Sequence, residues 1–310
     1  VHIGFSKKHN IDYFKLKNVN SDAKKSTSYR NSKSHKMLTT FLLESSYPLK
    51  KEKNNFNQRD FSKIENSESD GSFTGGKIDI SSKPKVQEAK KIANQTIEKV
   101  NRITDGNCHY FNTNATSDQA MEKYIPEIKT ITKGLPLKLL LHSIAFGTTT
   151  NFFGEKPVTQ RQMDMTVHIM GNALLYWTQN LFSEKLLSDG SRIIGLTSEG
   201  NYLAMEGYGP VSVAKVAMEA IIRQIGWELG KYGITANAVQ AGITPTRALT
   251  KITENWEKWV ENTKLRNPMR RTTKPEDIAG TIDMLLNPEA DFINCSIIYC
   301  DGGESRSGSF

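Results

Sequence analysis

The sequence predicts a doubly wound α/β domain, an all-parallel sheet with helices on both faces. Three observations lead there. Short apolar or β-branched runs recur at 137–142, 192–197, 234–239 and 296–300. Between them lie longer segments whose apolar residues keep helical spacing. Connections of that length serve crossovers between parallel strands rather than tight hairpins.

In chain order, residues 1–75 show little pattern, with only MLTTFLL at 37–43 suggesting a strand or helical turn among Asn, Lys and Ser. This segment is expected to be poorly ordered, and residues 76–310 to form the single α/β domain. From Gly75, GGKIDIS reads as a strand, KPKVQEAKKIANQTIEKVN as a helix and CHYFN as another strand, with Pro84 and Gly106 as start and stop signals. Helices are predicted at 118–132 and 160–187, the second on the spacing of Met163, Val167, Met170, Leu174 and Leu181. A long apolar helix follows at 211–230, then a Trp-bearing helix at 249–264 and one at 275–286. In such sheets ligands bind beyond the carboxyl ends of the strands. Asn112, Asn114, His142, Ser143, Ser198 and residues 242–246 all follow predicted strands.

Charge and cysteine usage narrow the class. The 310 residues carry a net charge of +8, but residues 1–85 hold 17 Lys/Arg against 9 Asp/Glu and the remainder holds 24 of each. The excess belongs to the first segment, which reads as a solvated arm, so nucleic acid is not expected as a partner. No apolar run approaches the roughly 18 residues that span a bilayer. No signal pattern follows Val1 and the three cysteines, Cys108, Cys295 and Cys300, lie far apart, so a cytoplasmic protein without a metal site or membrane contact is expected.

The residues that carry chemistry lie in RIIGLTSEGNYLAMEGYGPVSVAKVAMEAIIRQIGWELG at 192–230. Lys215 sits in the first turns of an apolar helix, where a charge costs desolvation energy unless it is used. Tyr208 precedes it by seven residues, about two helical turns, and so lies near the same face if the turn through Gly209 and Pro210 leads straight in. A phenol beside an ammonium can donate to a carbonyl oxygen that is gaining charge. His142 reads as a strand-end histidine with an ordinary hydrogen bond.

With these pieces placed, the chain resembles the short-chain dehydrogenase/reductase family, and within it the enoyl-acyl-carrier-protein reductases. The likeness rests on LLLHSIAFG at 139–147, the six residues between Tyr208 and Lys215, GITANAVQAGITPT at 233–246, NPMRRTTKPEDIAG at 267–280 and YCDGG at 299–303. It implies a Rossmann-like fold and hydride transfer from NADH or NADPH to an enoyl thioester on acyl carrier protein or coenzyme A. Ordinary members of the wider family have three residues between tyrosine and lysine, a position held here by Val211.

On that resemblance, Tyr208 donates to the thioester oxygen and Lys215 holds the nicotinamide ribose. Ser198 stands where related reductases have a second active-site tyrosine. Ser143, Ile144 and Ala145 would line the adenosine side, Asn114 would accept from the adenine amino group, and Ile243 and Thr246 would meet the nicotinamide carboxamide and pyrophosphate. Asp79 is a candidate for the adenosine ribose. Tyr202 could fill the place of the second tyrosine, although it reads more simply as a surface residue. Residues 244–266 would form a substrate lid, with Leu249, Trp256 and Trp259 offering apolar surface. A homodimer or homotetramer through the helix at 211–230 is implied as well.

One departure weakens the pattern. The glycine-rich phosphate loop belongs near residues 45–65, where the sequence SSYPLKKEKNNFNQRDFSKIE contains no glycine. A catalytically impaired scaffold therefore stands as one alternative, and a carbonyl or 3-oxoacyl reductase on the same fold, disfavoured by the tyrosine spacing, as another.

Overall fold

The computed structural model describes residues 113–246 and 255–308, together with residues 94, 95, 97, 98, 100–102, 109, 111 and 249. The basic segment 1–75, the strand expected at 75–81 with Asp79, and Asn112 and Cys108 lie outside the described residues. Residues 94, 95, 97, 98 and 100–102 are helical, agreeing with the helix expected over 83–101 and passing its end by one residue, whereas His109 and Phe111 are not in a strand.

Helix α1 (Asp118–Ile131) begins where the Ser117 side chain accepts a hydrogen bond from the Ala120 N–H, with Asp118 in the first turn and Lys129 in the last. These charges suit the helix dipole. Pro126 lies inside it, a placement costing about 3 kcal/mol in an isolated helix. Burial of Met121, Ile125 and Ile128, each worth roughly 1.5–3 kcal/mol, outweighs that penalty.

Among the described residues four parallel strands follow in simple spatial order: β1 (Leu139–His142), β2 (Arg192–Ser198), β3 (Thr235–Ala241) and β4 (Ile297–Cys300). Side chains alternate between the two faces. Leu140, Ile193, Ala236 and Ala238 pack with Met121, Leu174, Met218 and Ile222 from the helices α1, α3 (Ala173–Ser183) and α4 (Gly209–Leu229). Leu139, Leu141, Ile194 and Val239 pack on the other face against Ile278, Ile282 and Leu285 of α6 (Pro275–Leu285). Both faces are covered, as expected of a doubly wound sheet.

The single helix expected over 160–187 is interrupted. α2 (Gln160–Val167) passes into a π-helical turn at His168–Asn172 before α3, which ends at Ser183. Apolar spacing cannot reveal the extra residue of a π-turn, because periodicity on either side remains helical. The turn has local anchors: His168 Nε2 lies 2.9 Å from the Thr116 carbonyl oxygen, and the Met170 carbonyl reaches the His142 ring. The Trp-bearing helix expected over 249–264 is described as α5 (Trp256–Arg266), with both tryptophans half-buried and Leu249 buried.

Register sets the position of the site. Ser198, Ala241 and Cys300 pair across β2, β3 and β4. Their successors, Glu199, Gly242 and Asp301, therefore leave the sheet side by side at its carboxyl edge.

Candidate active site

The first polar corner forms where β2 hands over to α4. Pro210 occupies the first turn of α4, and Tyr208 is the residue before it, with helix-like dihedrals of φ −92° and ψ −6°. The chain thus leads straight into the helix, and seven residues at 3.6 per turn bring Tyr208 and Lys215 to one face. Gly200 supports the ring from behind: a Cβ there would sit 2.2 Å from a Tyr208 ring carbon. Tyr208 is 7% exposed and its hydroxyl lies 3.1 Å from Ser198 Oγ, where either group can donate. Burial raises the phenol above its usual range, the Ser198 hydrogen bond opposes that, and the Glu199 charge adds to it. The phenol therefore keeps its proton at neutral pH and can donate it in a hydrogen bond.

Lys215 is 6% exposed, and its ammonium donates to the Leu196 carbonyl at 2.6 Å. An ammonium has three N–H bonds, and this is its one hydrogen bond among the described residues. Burial lowers its pKa to about 8, opposed by the Glu219 carboxylate. Glu219 lies one turn further along α4, buried, and accepts from Thr197 Oγ1 and from Asn201 Nδ2, the latter at 2.6 Å. It ties the Lys215 helix to the residues flanking Ser198. His142 donates Nε2–H to the Met170 carbonyl at 3.1 Å. Its pKa falls to about 4, through burial first and then the Lys215 charge, so the ring is neutral.

A second corner lies where β3 and β4 end. Arg266, the last residue of α5, reaches both Glu199 carboxylate oxygens and one Glu304 oxygen at 2.9 Å from a single guanidinium nitrogen. The Glu304 side chain is fully buried and accepts from the Ile243 N–H at 3.2 Å. Burial and the Glu199 charge push its carboxyl up, and Arg266 pulls it down.

A family model described as enoyl-(acyl carrier protein) reductase matches residues 86–305, well over half the chain. The chain belongs to the enoyl-(acyl carrier protein) reductase family. The NADH-dependent enoyl-[acyl-carrier-protein] reductase of Bacillus subtilis (strain 168) is 28% identical over 165 residues, covering 53% of this chain and 63% of the relative. The chain thus spans less than two thirds of that relative. The corresponding reductase of Rickettsia bellii is 26% identical over 196 residues, covering 63% of this chain and 72% of the relative. A crystal structure of the Aquifex aeolicus reductase superposes with a TM-score of 0.63 at 20% identity, over 71% of this chain and 84% of that one. A reductase from Anaplasma phagocytophilum in complex with NAD gives 0.61, over 72% and 80%.

The sequence-predicted residues divide clearly in the structure. Ser198 and Tyr208 are in hydrogen-bond contact, and Lys215 is bound to Leu196, two residues before Ser198 on the same strand. Ser143 is half-buried, Ile144 buried and Ala145 exposed just past β1. Asn114 is exposed, and its amide oxygen already accepts from the Thr116 N–H at 3.1 Å and the Thr116 hydroxyl at 2.8 Å. An adenine amino group would have to share that oxygen. Thr246 Oγ1 accepts from the Leu249 N–H at 3.4 Å. Tyr202 is half-exposed at the surface, 3.4 Å from Gln240 Nε2.

The fit of a dinucleotide is best at Lys215, where ammonium N–H bonds remain for ribose hydroxyls. It is poorest at Ile243, whose N–H is engaged. Among the described residues no cluster of His, Cys, Asp and Glu can hold a metal, and no helix is long and apolar enough to cross a membrane. A groove between α6 and β4, bordered by Met269, Thr281, Met284 and Cys300, contains neither Tyr208 nor Lys215.

Sequence reasoning missed Glu199, Glu219, Arg266 and Glu304. Only Glu219 had a local signal, a carboxylate four residues after the suspect lysine on an apolar helix. The other three are distant in sequence and meet because of strand register.

Proposed function

We propose that the chain is an NADH- or NADPH-dependent oxidoreductase of the cytoplasm that reduces the 2,3 double bond of an enoyl thioester, on acyl carrier protein or coenzyme A, in fatty-acid synthesis. The observation that carries this reading is the buried, protonated Tyr208 hydroxyl beside Ser198, on the helix face that holds Lys215. A bound reduced nicotinamide would supply the hydride to the β-carbon. Negative charge then gathers on the thioester oxygen, and Tyr208 O–H donates to it in a site shielded from water, where such a bond is strongest. Lys215 would hold ribose hydroxyls and oppose the developing negative charge, with Ser143, Ile144 and Ala145 lining the adenosine side. Ser198 orients the phenol or offers a second donor. Leu249, Trp256 and Trp259 would supply apolar surface for the acyl chain.

The test mixes purified full chain with a short trans-2-enoyl-coenzyme A and either reduced dinucleotide. Saturated acyl thioester by mass spectrometry is the expected product. A pair of hydroxyls 3.1 Å apart would also serve a ketone oxygen. A Thauera aromatica relative, 25% identical over 150 residues, is named (2S)-[(R)-hydroxy(phenyl)methyl]succinyl-CoA dehydrogenase subunit BbsD. Reduction of a 3-oxoacyl thioester with no saturated product from the enoyl substrate would move the assignment there.

Assembly as a homodimer or homotetramer is part of the same proposal. Val213, Val216 and Trp227 lie along one face of α4 and are 40%, 44% and 76% exposed. An apolar stripe of this kind suits a second copy of the same helix.

A further inference from the structure

Gly242 and Ile243 follow β3 directly, and the space over Gly242 is taken by side chains from elsewhere. A Cβ on Gly242 would lie 2.6 Å from Glu304 Oε2, 2.7 Å from Thr273 Oγ1 and 3.0 Å from the Asp301 Cβ. The glycine is what lets the Glu304 carboxylate reach the Ile243 N–H. Thr273 stays adjacent because its own N–H donates to the Ile243 carbonyl at 3.1 Å. Its hydroxyl is buried, yet has no hydrogen-bond partner among the described residues. A carboxamide has both an acceptor and donors. The Ile243 N–H and the Thr273 hydroxyl border one space and match that pair of functions, whereas Glu304 satisfies only the N–H.

We propose that Glu304 sets cofactor affinity: its carboxylate and the nicotinamide carboxamide compete for the Ile243 N–H, and the cofactor settles only when Glu304 yields. This rests on the reading of Ile243 as the carboxamide contact. The retreat is cushioned, because Arg266 keeps both Glu199 oxygens at 2.9 Å when Glu304 leaves. It is not free, because Glu304 gives up a charge-assisted bond to Arg266 and one to the backbone.

The charges facing Glu304 are Glu199 after β2, Arg266 at the end of α5 and Asp301 at the end of β4. Protonation of Glu304 removes its charge and weakens both of its bonds. Its carboxyl is raised from its ordinary value, by burial first and then by the Glu199 charge, so cofactor affinity should rise as pH falls and Glu304 takes up its proton. Glu304→Gln should flatten the dependence.

The experiment titrates full chain with NADH and with NADPH, following energy transfer from tryptophan and the thermal midpoint, for wild type, Glu304→Gln and Glu304→Ala. The expected result is affinity several-fold tighter for Glu304→Gln and about tenfold tighter for Glu304→Ala, the loss of a charge-assisted competitor. Binding detected only in the variants is the same result in stronger form. Equal or weaker affinity in a folded Glu304→Gln, with wild type binding measurably, overturns this inference and leaves the proposed function standing. Failure of all three proteins to bind either dinucleotide overturns both.

Discussion

The two polar corners at the carboxyl edge of the sheet are built from similar residues and end in opposite states. At the β2–α4 corner a buried ammonium and a buried phenol hold their protons and keep hydrogen-bonding capacity in reserve, Lys215 using only the Leu196 carbonyl. At the β3–β4 corner the charged groups are bound to one another: Arg266 is bound to Glu199 and Glu304, and the Ile243 N–H to Glu304, leaving the Thr273 hydroxyl without a partner among the described residues. Buried charge is costly in both places, but only the second is neutralised by partners in direct contact. The comparison teaches that a buried charge marks a candidate reactive site where, like Lys215, it keeps donors free, rather than where, like Arg266, it is matched by carboxylates in direct contact.

Closing the first corner gives the largest expected effect. Lys215→Met should lower turnover about a thousandfold and abolish cofactor binding, as for loss of a principal electrostatic contact. The thermal midpoint should hold or rise, since a pKa of about 8 against a usual 10.5 means the charge is kept at roughly 3 kcal/mol. The pH signs oppose each other. The charged lysine, and with it the proposed ribose anchoring, is present below about pH 8 and lost above it. From pH 8 to 10.5 the unfolded chain binds the extra proton, so the lysine's contribution to stability rises with pH. Turnover and denaturant midpoints measured across that range would separate the two.

His142 supports the same corner from behind, and its effect is on stability. Its pKa of about 4 against 6.5 when unfolded means that its contribution is complete above pH 6.5. As pH falls from 6.5 to 4, roughly 3 kcal/mol is lost. His142→Gln should reduce that acid slope in denaturant titrations. Glu219→Gln should act more mildly, costing about 1–2 kcal/mol through its bonds to Thr197 and Asn201. It should also move the alkaline limb of turnover below pH 8, because the carboxylate that supports the Lys215 charge is gone. A purely structural Glu219 would lower the midpoint and leave that limb in place. Trp227→Lys, on the outer face of α4, should leave per-site turnover nearly unchanged and reduce the assembled mass in light scattering.

Legibility in the sequence followed the same division. The four strands, and the helices over 118–131, 209–229 and 275–285, were readable because their apolar periods are long and their burial is regular. The neighbourhood of Tyr208 and Lys215 was readable because one turn and one helix hold them seven residues apart, while Ser198 was picked out by the family resemblance; their proposed roles await test by substitution. The π-turn at His168–Asn172 was not, since it changes the hydrogen-bond ladder without changing residue types. Nor was the Glu199, Arg266 and Glu304 cluster. Its members are separated by 67 and 38 residues, and only the pairing of Ser198, Ala241 and Cys300 brings them together.

Tyr208→Phe tests the central claim most directly, because it removes one hydroxyl and leaves the ring against Gly200. Binding of reduced dinucleotide and formation of saturated acyl thioester would be measured on the same preparation. The account predicts affinity within about twofold of wild type and product formation lower by about a hundredfold or more, the effect of losing one donor to a developing oxyanion. Unchanged product formation by a folded variant would contradict it.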